Sequence, residues 1–187
     1  MISRRVFALA ALACGAAGAA FAQAVAPGAP GDPRPRAYRM LGQAAPAFDF
    51  PLLGGARARL ADYRGRTLIL YVGGLWCPDC VLDGPHTNEL ARLAAGDRRI
   101  AFLQIHTQNR FGRWGSVPAY FAEYNYSWPV AFDETRTWMH ENYAVDWSPS
   151  FLIIDRHGII RAWRTDLGAD GAHDFFVQAQ AIASRRR

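Results

Sequence analysis

The stretch Leu68-Ile69-Leu70-Tyr71-Val72-Gly73-Gly74-Leu75-Trp76-Cys77-Pro78-Asp79-Cys80 constrains this chain more than any other. A short apolar run rich in strand formers breaks at two glycines and delivers two cysteines three positions apart. The residues that follow, Val81 to Ala95, place Val81, Leu82, Leu90, Leu93 and Ala94 at near-helical spacing. The cysteines therefore stand where a buried strand turns into a helix. Cys77 falls at the helix start, where unpaired backbone N–H groups and the helix dipole favour an anion. The thiolate is the attacking form of cysteine, so this position activates it. Cys80, one turn on and deeper, is within reach to close a disulfide. The pattern assigns Cys77 as nucleophile and Cys80 as resolving thiol.

Two blander readings compete. Half of a zinc site needs two further ligands, usually a second Cys or His pair. The remaining cysteine, Cys14, lies in an export segment, and no His pair stands at ligand spacing. A purely structural bridge would close a very small loop and constrain the unfolded chain little. The balance favours redox chemistry.

Residues 1–22 have the pattern of an export signal: Arg4 and Arg5, an apolar stretch from Val6 to Ala13, and Ala20-Phe21-Ala22 as a small-x-small cleavage site. The apolar part is too short and too dilute for a good membrane span. Ser3-Arg4-Arg5-Val6-Phe7 fits a twin-arginine signal, and paired arginines occur in ordinary signals as well, so both export routes stay open. Ala11 stands where a lipidation motif ending at Cys14 would carry a large aliphatic residue, so Cys14 reads as a passive signal cysteine. Cleavage would leave 165 residues whose two cysteines both belong to the motif. That is one domain with room for a proper core, and not a disulfide-dense secreted scaffold.

The net charge of +5 drops to +3 once Arg4 and Arg5 are removed, and Arg185-Arg186-Arg187 form a basic tail over 185–187. All 21 basic residues are arginine, scattered among the acids, which argues against a nucleic-acid surface. Residues 23–37 form a Pro/Gly-rich linker. The folded domain is placed at 38–184.

Within it, Phe48 to Leu52 reads as a short edge strand and Gly54-Gly55 as a hairpin turn, with Ala58 to Tyr63 leading to the central strand. Arg99 to His106 is a second buried strand. Val117 to Tyr124 is a helix opened by Pro118, its aromatics Tyr120, Phe121 and Tyr124 on one face as core residues. Trp128 to Phe132 is a strand, followed by a helix from Glu134 to Tyr143. Ser150 to Asp155 and Ile159 to Arg164 form a β-hairpin around Arg156-His157-Gly158, and Ala172 to Ser184 is the closing helix. The order is mixed α/β: a central sheet with helices on both faces.

Several co-linear stretches resemble the exported TlpA/ResA-like thiol–disulfide oxidoreductases of thioredoxin fold. They are Ala45-Pro46-Ala47-Phe48, Leu60-Ala61-Asp62-Tyr63-Arg64-Gly65, Trp76-Cys77-Pro78-Asp79-Cys80, Trp128-Pro129-Val130 with Asp133, and Ser148-Pro149-Ser150 through Asp155 to Gly158-Ile159-Ile160. The resemblance spans Met40 to Ala183. Ile105-His106-Thr107 and Trp147-Ser148-Pro149 are similar, more loosely, to the thioredoxin-like domain of DipZ-type proteins.

The resemblance implies a thioredoxin-like α/β fold: a central mixed β-sheet flanked by helices, with an N-terminal strand or hairpin extension. It makes Cys77 and Cys80 the redox disulfide and Pro149 a cis-proline facing them. Trp76, Ser148 and Pro149 contact an extended substrate, and Asp83 stands where the family often has a proton-transferring glutamate. Against that last role stands a plain helix-surface carboxylate. The implied protein is a monomer in the periplasm that uses no cofactor and no metal. Its partners are exported proteins carrying disulfides or dithiols, and a membrane electron donor of unknown identity; nucleic acid is not among them. Reduction of substrate disulfides is the expected direction, because the Asp79 carboxylate opposes a Cys77 thiolate. Peroxiredoxins carry threonine three before the attacking cysteine, and Gly74 here argues against peroxide reduction. The alternative reading is a copper-delivery module using Cys77, Cys80 and a histidine, His86 or His140.

Overall fold

The computed structural model describes residues 36–135 and 137–185. The export signal, Cys14, nearly all of the linker, and Arg186-Arg187 lie outside these residues.

The apolar run of the motif becomes β3 (Thr67–Gly73), with all seven residues buried. A strand covered on both faces reads as a continuous apolar run, because both sides of the pleat meet core. Ile69 and Tyr71 enter one core cluster, while Leu68, Leu70 and Val72 enter the other. β3 pairs in parallel with β4 (Ile100–Thr107), bringing Gly73 opposite His106. On its other side it pairs antiparallel with β6 (Ser150–Ile154), bringing Val72 opposite Ser150. These two registers carry His106 and the Ser148-Pro149 turn to the end of β3 from which the cysteines emerge.

β5 (Val130–Asp133) and β7 (Ile160–Arg164) complete a five-stranded mixed sheet in the order β5-β4-β3-β6-β7. The β6–β7 hairpin expected from sequence is present and antiparallel. The Asp155 carboxylate shapes its turn by accepting the backbone N–H groups of His157 and Ile159 at 2.8 and 3.0 Å. The N-terminal extension is a separate antiparallel ribbon, β1 (Asp49–Pro51) with β2 (Arg57–Arg59). Gly54 and Gly55 both take positive φ in its turn, a conformation open to glycine at little cost.

Helices cover both faces. α3 (Gly84–Ala95) lies against α6 (Gly168–Ser184), and their Leu90, Phe175 and Phe176 join Ile69, Tyr71 and Phe151 in one cluster. α4 (Val117–Tyr124) adds Val117 and Tyr120 to that cluster. The opposite cluster holds Phe48 of the extension and Met139 and Tyr143 of α5 (Thr137–Tyr143).

The structure differs from the sequence reading in several places. A helical turn, α1 (Arg36–Arg39), starts inside the expected linker, where Arg36 pairs with Asp146 at 3.2 Å. The stretch after β2 is a 3-10 turn over Leu60–Tyr63, with the Asp62 carboxylate accepting the Arg59 N–H at 2.9 Å. Tyr120 is core as expected, whereas Tyr124 remains 41% exposed. The helix expected after the motif is two helices, α2 (Pro78–Leu82) and α3, joined at Asp83. Pro85 explains the break. It has no N–H to continue the ladder, and it disfavours helical backbone at the residue before it.

Candidate active site

The turn between β3 and α2 needs both of its glycines. A Cβ on Gly73 would stand 2.7 Å from the Cys80 sulfur, and one on Gly74 would stand 2.7 Å from the Trp76 indole nitrogen and 2.9 Å from the His106 ring. The glycines leave the space that the second cysteine, the indole and the imidazole occupy. Trp76 donates its indole N–H to the Thr107 carbonyl. His106 is fully buried; its Nε2 accepts the Leu75 N–H at 3.0 Å, and its Nδ1 lies 3.0 Å from the Gln108 carbonyl. Those two contacts define the neutral tautomer with the proton on Nδ1. Desolvation holds its pKa down to about 4.

Cys77 is the N-cap of α2, with extended backbone (φ −100°, ψ 116°) and Pro78 in the first turn. Its sulfur accepts the backbone N–H of Cys80 at 3.4 Å. In the thiol form it donates to the Ser148 carbonyl at 3.3 Å. Both cysteines are free thiols. Exposure does not separate them, at 6% for Cys77 and 4% for Cys80. Acidity does. The Cys80 thiol beside it, helped by the backbone N–H groups of Cys80 and Asp79, brings Cys77 down to about 7. Burial opposes this, and so, more weakly, does the Asp79 carboxylate, in the direction expected from sequence. Burial and the neighbouring Cys77 push Cys80 well above the ordinary thiol range. A proton leaves Cys77 first.

The Ser148-Pro149 peptide is cis. It lines a cleft of about 570 Å³ together with Asp79, Leu82, Asp83 and Trp147. Leu82 and Trp147 stand 76% and 63% exposed at this cleft. Asp83 is not a surface carboxylate: it is 6% exposed at the α2–α3 break. Its carboxylate accepts the backbone N–H groups of Leu167 and Gly168, at 3.0 and 3.3 Å, across 84 and 85 residues of chain. Burial raises its pKa against those two bonds, which lower it.

The structure thus brings Cys77, Cys80, Asp83, Ser148 and Pro149 to one end of the sheet. Trp76 belongs to the same turn but points at Thr107 and is not among the residues lining the cleft. The copper reading loses its third ligand. His86 lines the cleft with Asp79 and Asp83, and His140 lies 3.1 Å from Asp146. Among the described residues no three His, Cys, Asp or Glu side chains gather as a metal site. Sequence reasoning gave no role to His106 or Tyr71. The available signal for His106 was a histidine near the end of the mainly apolar stretch Ile100–Thr107; Tyr71 gave none beyond its place in the motif strand.

Residues 41–163 match the model of the AhpC/TSA family. A Pseudomonas aeruginosa thiol:disulfide interchange protein, DsbE, is 27% identical over 132 residues, 70% of this chain and 69% of that protein. The Geobacillus kaustophilus thiol-disulfide oxidoreductase ResA is 27% identical over 121 residues, covering 65% and 67%. Among solved structures, a secreted Mycobacterium tuberculosis disulfide oxidoreductase homologous to E. coli DsbE superposes with a TM-score of 0.57 at 21% identity. That superposition covers 72% of this chain and 96% of the other.

Proposed function

The chain belongs to the AhpC/TSA family and is a thiol–disulfide oxidoreductase, and we propose that it reduces disulfides of exported proteins in the periplasm. The observation that carries this reading is the setting of Cys77: an N-cap thiol brought down to about 7, 3.3 Å from the Ser148 carbonyl that edges an open cleft.

The reaction uses the pair in sequence. The Cys77 thiolate attacks one sulfur of the substrate disulfide, forming a mixed disulfide and releasing the other sulfur as a thiolate. Cys80 then loses its proton and attacks the Cys77 sulfur. The bond from Cys77 to the substrate breaks, and the second substrate thiolate leaves. The protein ends oxidised by two electrons and the substrate reduced by two. Ser148 and Pro149 present backbone to an extended substrate at the cleft, and Asp83 takes part in proton transfer near the pair. Trp76 secures the turn that presents Cys77. The signal over residues 1–22 exports the chain, the linker over 23–37 spaces the domain, and a membrane donor of electrons returns it to the dithiol form. The protein acts as a monomer. Gly74 supports thiol exchange over peroxide reduction, because a threonine side chain there would collide with Trp76 and His106.

Expressing the Cys80→Ser variant in the exporting cell tests this reading. It should accumulate mixed disulfides through Cys77 with exported proteins that lose the attachment on addition of dithiothreitol. Absence of such adducts, with the variant folded and exported, would overturn it.

A further inference from the structure

Cys80 is the group whose chemistry is hardest to run. It must become a thiolate to resolve the mixed disulfide, yet it is 4% exposed with no cation beside it among the described residues. Two features lie behind it. First, a Cβ at Gly73 would meet the Cys80 sulfur at 2.7 Å and the Tyr71 hydroxyl at 2.9 Å, so the two groups share one small space over that glycine. Against burial and the neighbouring Cys77, the Gly74 backbone N–H and, after it, this hydroxyl favour the Cys80 thiolate. Second, a cavity of about 10 Å³, room for the centre of one water, is lined by Cys80, Tyr71, Thr87, Gln104, His106 and Tyr120. The Thr87 hydroxyl is 1% exposed and has no hydrogen-bond partner within the protein. The cavity's lining is mainly apolar, yet a buried orphan hydroxyl on a residue lining a cavity of that size gives an internal water a first hydrogen-bond partner.

We propose that the Tyr71 hydroxyl, with one water seated on Thr87, forms the donor set that holds Cys80 as a thiolate for the resolving step. This rests on the thiol-exchange reading above. Net, Cys80 gives up its proton, its sulfur bonds to Cys77, the bond from Cys77 to the substrate sulfur breaks, and the leaving thiolate takes up the proton. Tyr71 acts as a donor throughout, since burial raises its hydroxyl well above the ordinary phenol range. The titratable groups facing Cys80 are Cys77 on α2, Tyr71 on β3, His106 on β4 and Tyr120 on α4. His106 stays neutral near pH 7. Among the described residues that line this cavity none is a carboxylate or a basic group other than His106, and Asp83, three residues after Cys80, lines the cleft instead.

Tyr71→Phe removes the hydroxyl and keeps the ring that stacks on Phe151 at 4.7 Å. The reduced full-length protein is mixed with a chromogenic aromatic disulfide. One aryl thiolate is released when Cys77 attacks, and a second when Cys80 resolves. In Tyr71→Phe the first release should keep its rate and pH midpoint. The second should slow about tenfold, the size of one charge-assisted hydrogen bond, with its pH midpoint moved up. Thr87→Val should slow the second release as well, by a smaller factor. An unchanged second release in Tyr71→Phe, or equal slowing of both releases, would overturn the proposal. An effect in Tyr71→Phe alone would overturn the part given to the water. Loss of the first release in the unmodified protein would instead strike the thiol-exchange reading itself.

Discussion

His106 Nε2 accepts the Leu75 N–H at 3.0 Å, so a ring on one strand holds the turn that leaves its neighbour. Replacing His106 by Ala leaves that buried N–H unpaired and opens a cavity beside Trp76. The expected loss is about 2–4 kcal/mol of stability, read from urea midpoints at pH 7.

The same ring makes stability pH-dependent. Folded, it titrates at about 4 because burial disfavours the charged form; unfolded, it titrates near about 6.5. Above the unfolded value neither state is protonated there, and the contribution is complete. As the pH falls towards 4, the unfolded chain takes up a proton that the folded chain refuses, so about 3 kcal/mol is lost across that window. His106→Ala should lack this part of the slope. Parallel stability–pH curves for the two proteins between 6.5 and 4 would show that another group is responsible.

Cys77 should be the first thiol alkylated, with a pH midpoint of about 7. Because the Cys80 side chain is the largest cause of that lowering, Cys80→Ala should move the midpoint up towards about 8.5, the value of a free cysteine. Asp79→Asn should move it slightly down, since a charge that opposes the thiolate is gone. Mass spectrometry after limiting alkylation reads both results, and preferential labelling of Cys80 would reverse the assigned roles.

The structure shows Asp83 as a tether, and the proton transfer proposed for it can be tested separately. Its carboxylate ties the α2–α3 break to the start of α6 through Leu167 and Gly168. The two N–H groups bond different carboxylate oxygens, so Asp83→Asn keeps one acceptor and turns its NH2 onto the other N–H, costing about 1–2 kcal/mol, and Asp83→Leu, which keeps neither, should lose more. If the carboxylate also moves protons, Asp83→Asn should slow thiol exchange at a temperature where the variant is fully folded. Equal exchange rates would leave it a tether alone.

Direction is read from the redox midpoint. A strong oxidant such as DsbA, at about −120 mV, has a strongly stabilised reduced form, whereas thioredoxin lies at about −270 mV. Cys77 is acidified only to about 7, so the midpoint should fall nearer the thioredoxin value. Equilibration against glutathione buffers measures it, and a midpoint above about −160 mV would make the protein a disulfide-forming enzyme.

Much of this was legible in the chain itself. The buried strand, the turn at Gly73-Gly74 and the N-cap position of Cys77 all follow from local pattern, and so does the β6–β7 hairpin. Local pattern is enough there because strand period, turn residues and capping act between residues a few positions apart. The break at Asp83 was legible too, in Pro85, but apolar spacing on both sides of it masked the signal.

What only the tertiary structure decided is which distant groups surround the two thiols. His106 reaches Leu75 across 31 positions and Asp83 reaches Leu167 across 84, and neither sequence interval has a period that points to the other residue. These meetings depend on register: Gly73 stands opposite His106 and Val72 opposite Ser150 because the three strands share one alignment. A slip of one residue in either pairing would turn the facing side chains to the other side of the sheet. The sequence determined that a reactive thiol stands at a helix start. The fold determined what stabilises it, what buries its partner, and which hydroxyls stand behind that partner, because those interactions exist only once the sheet is assembled.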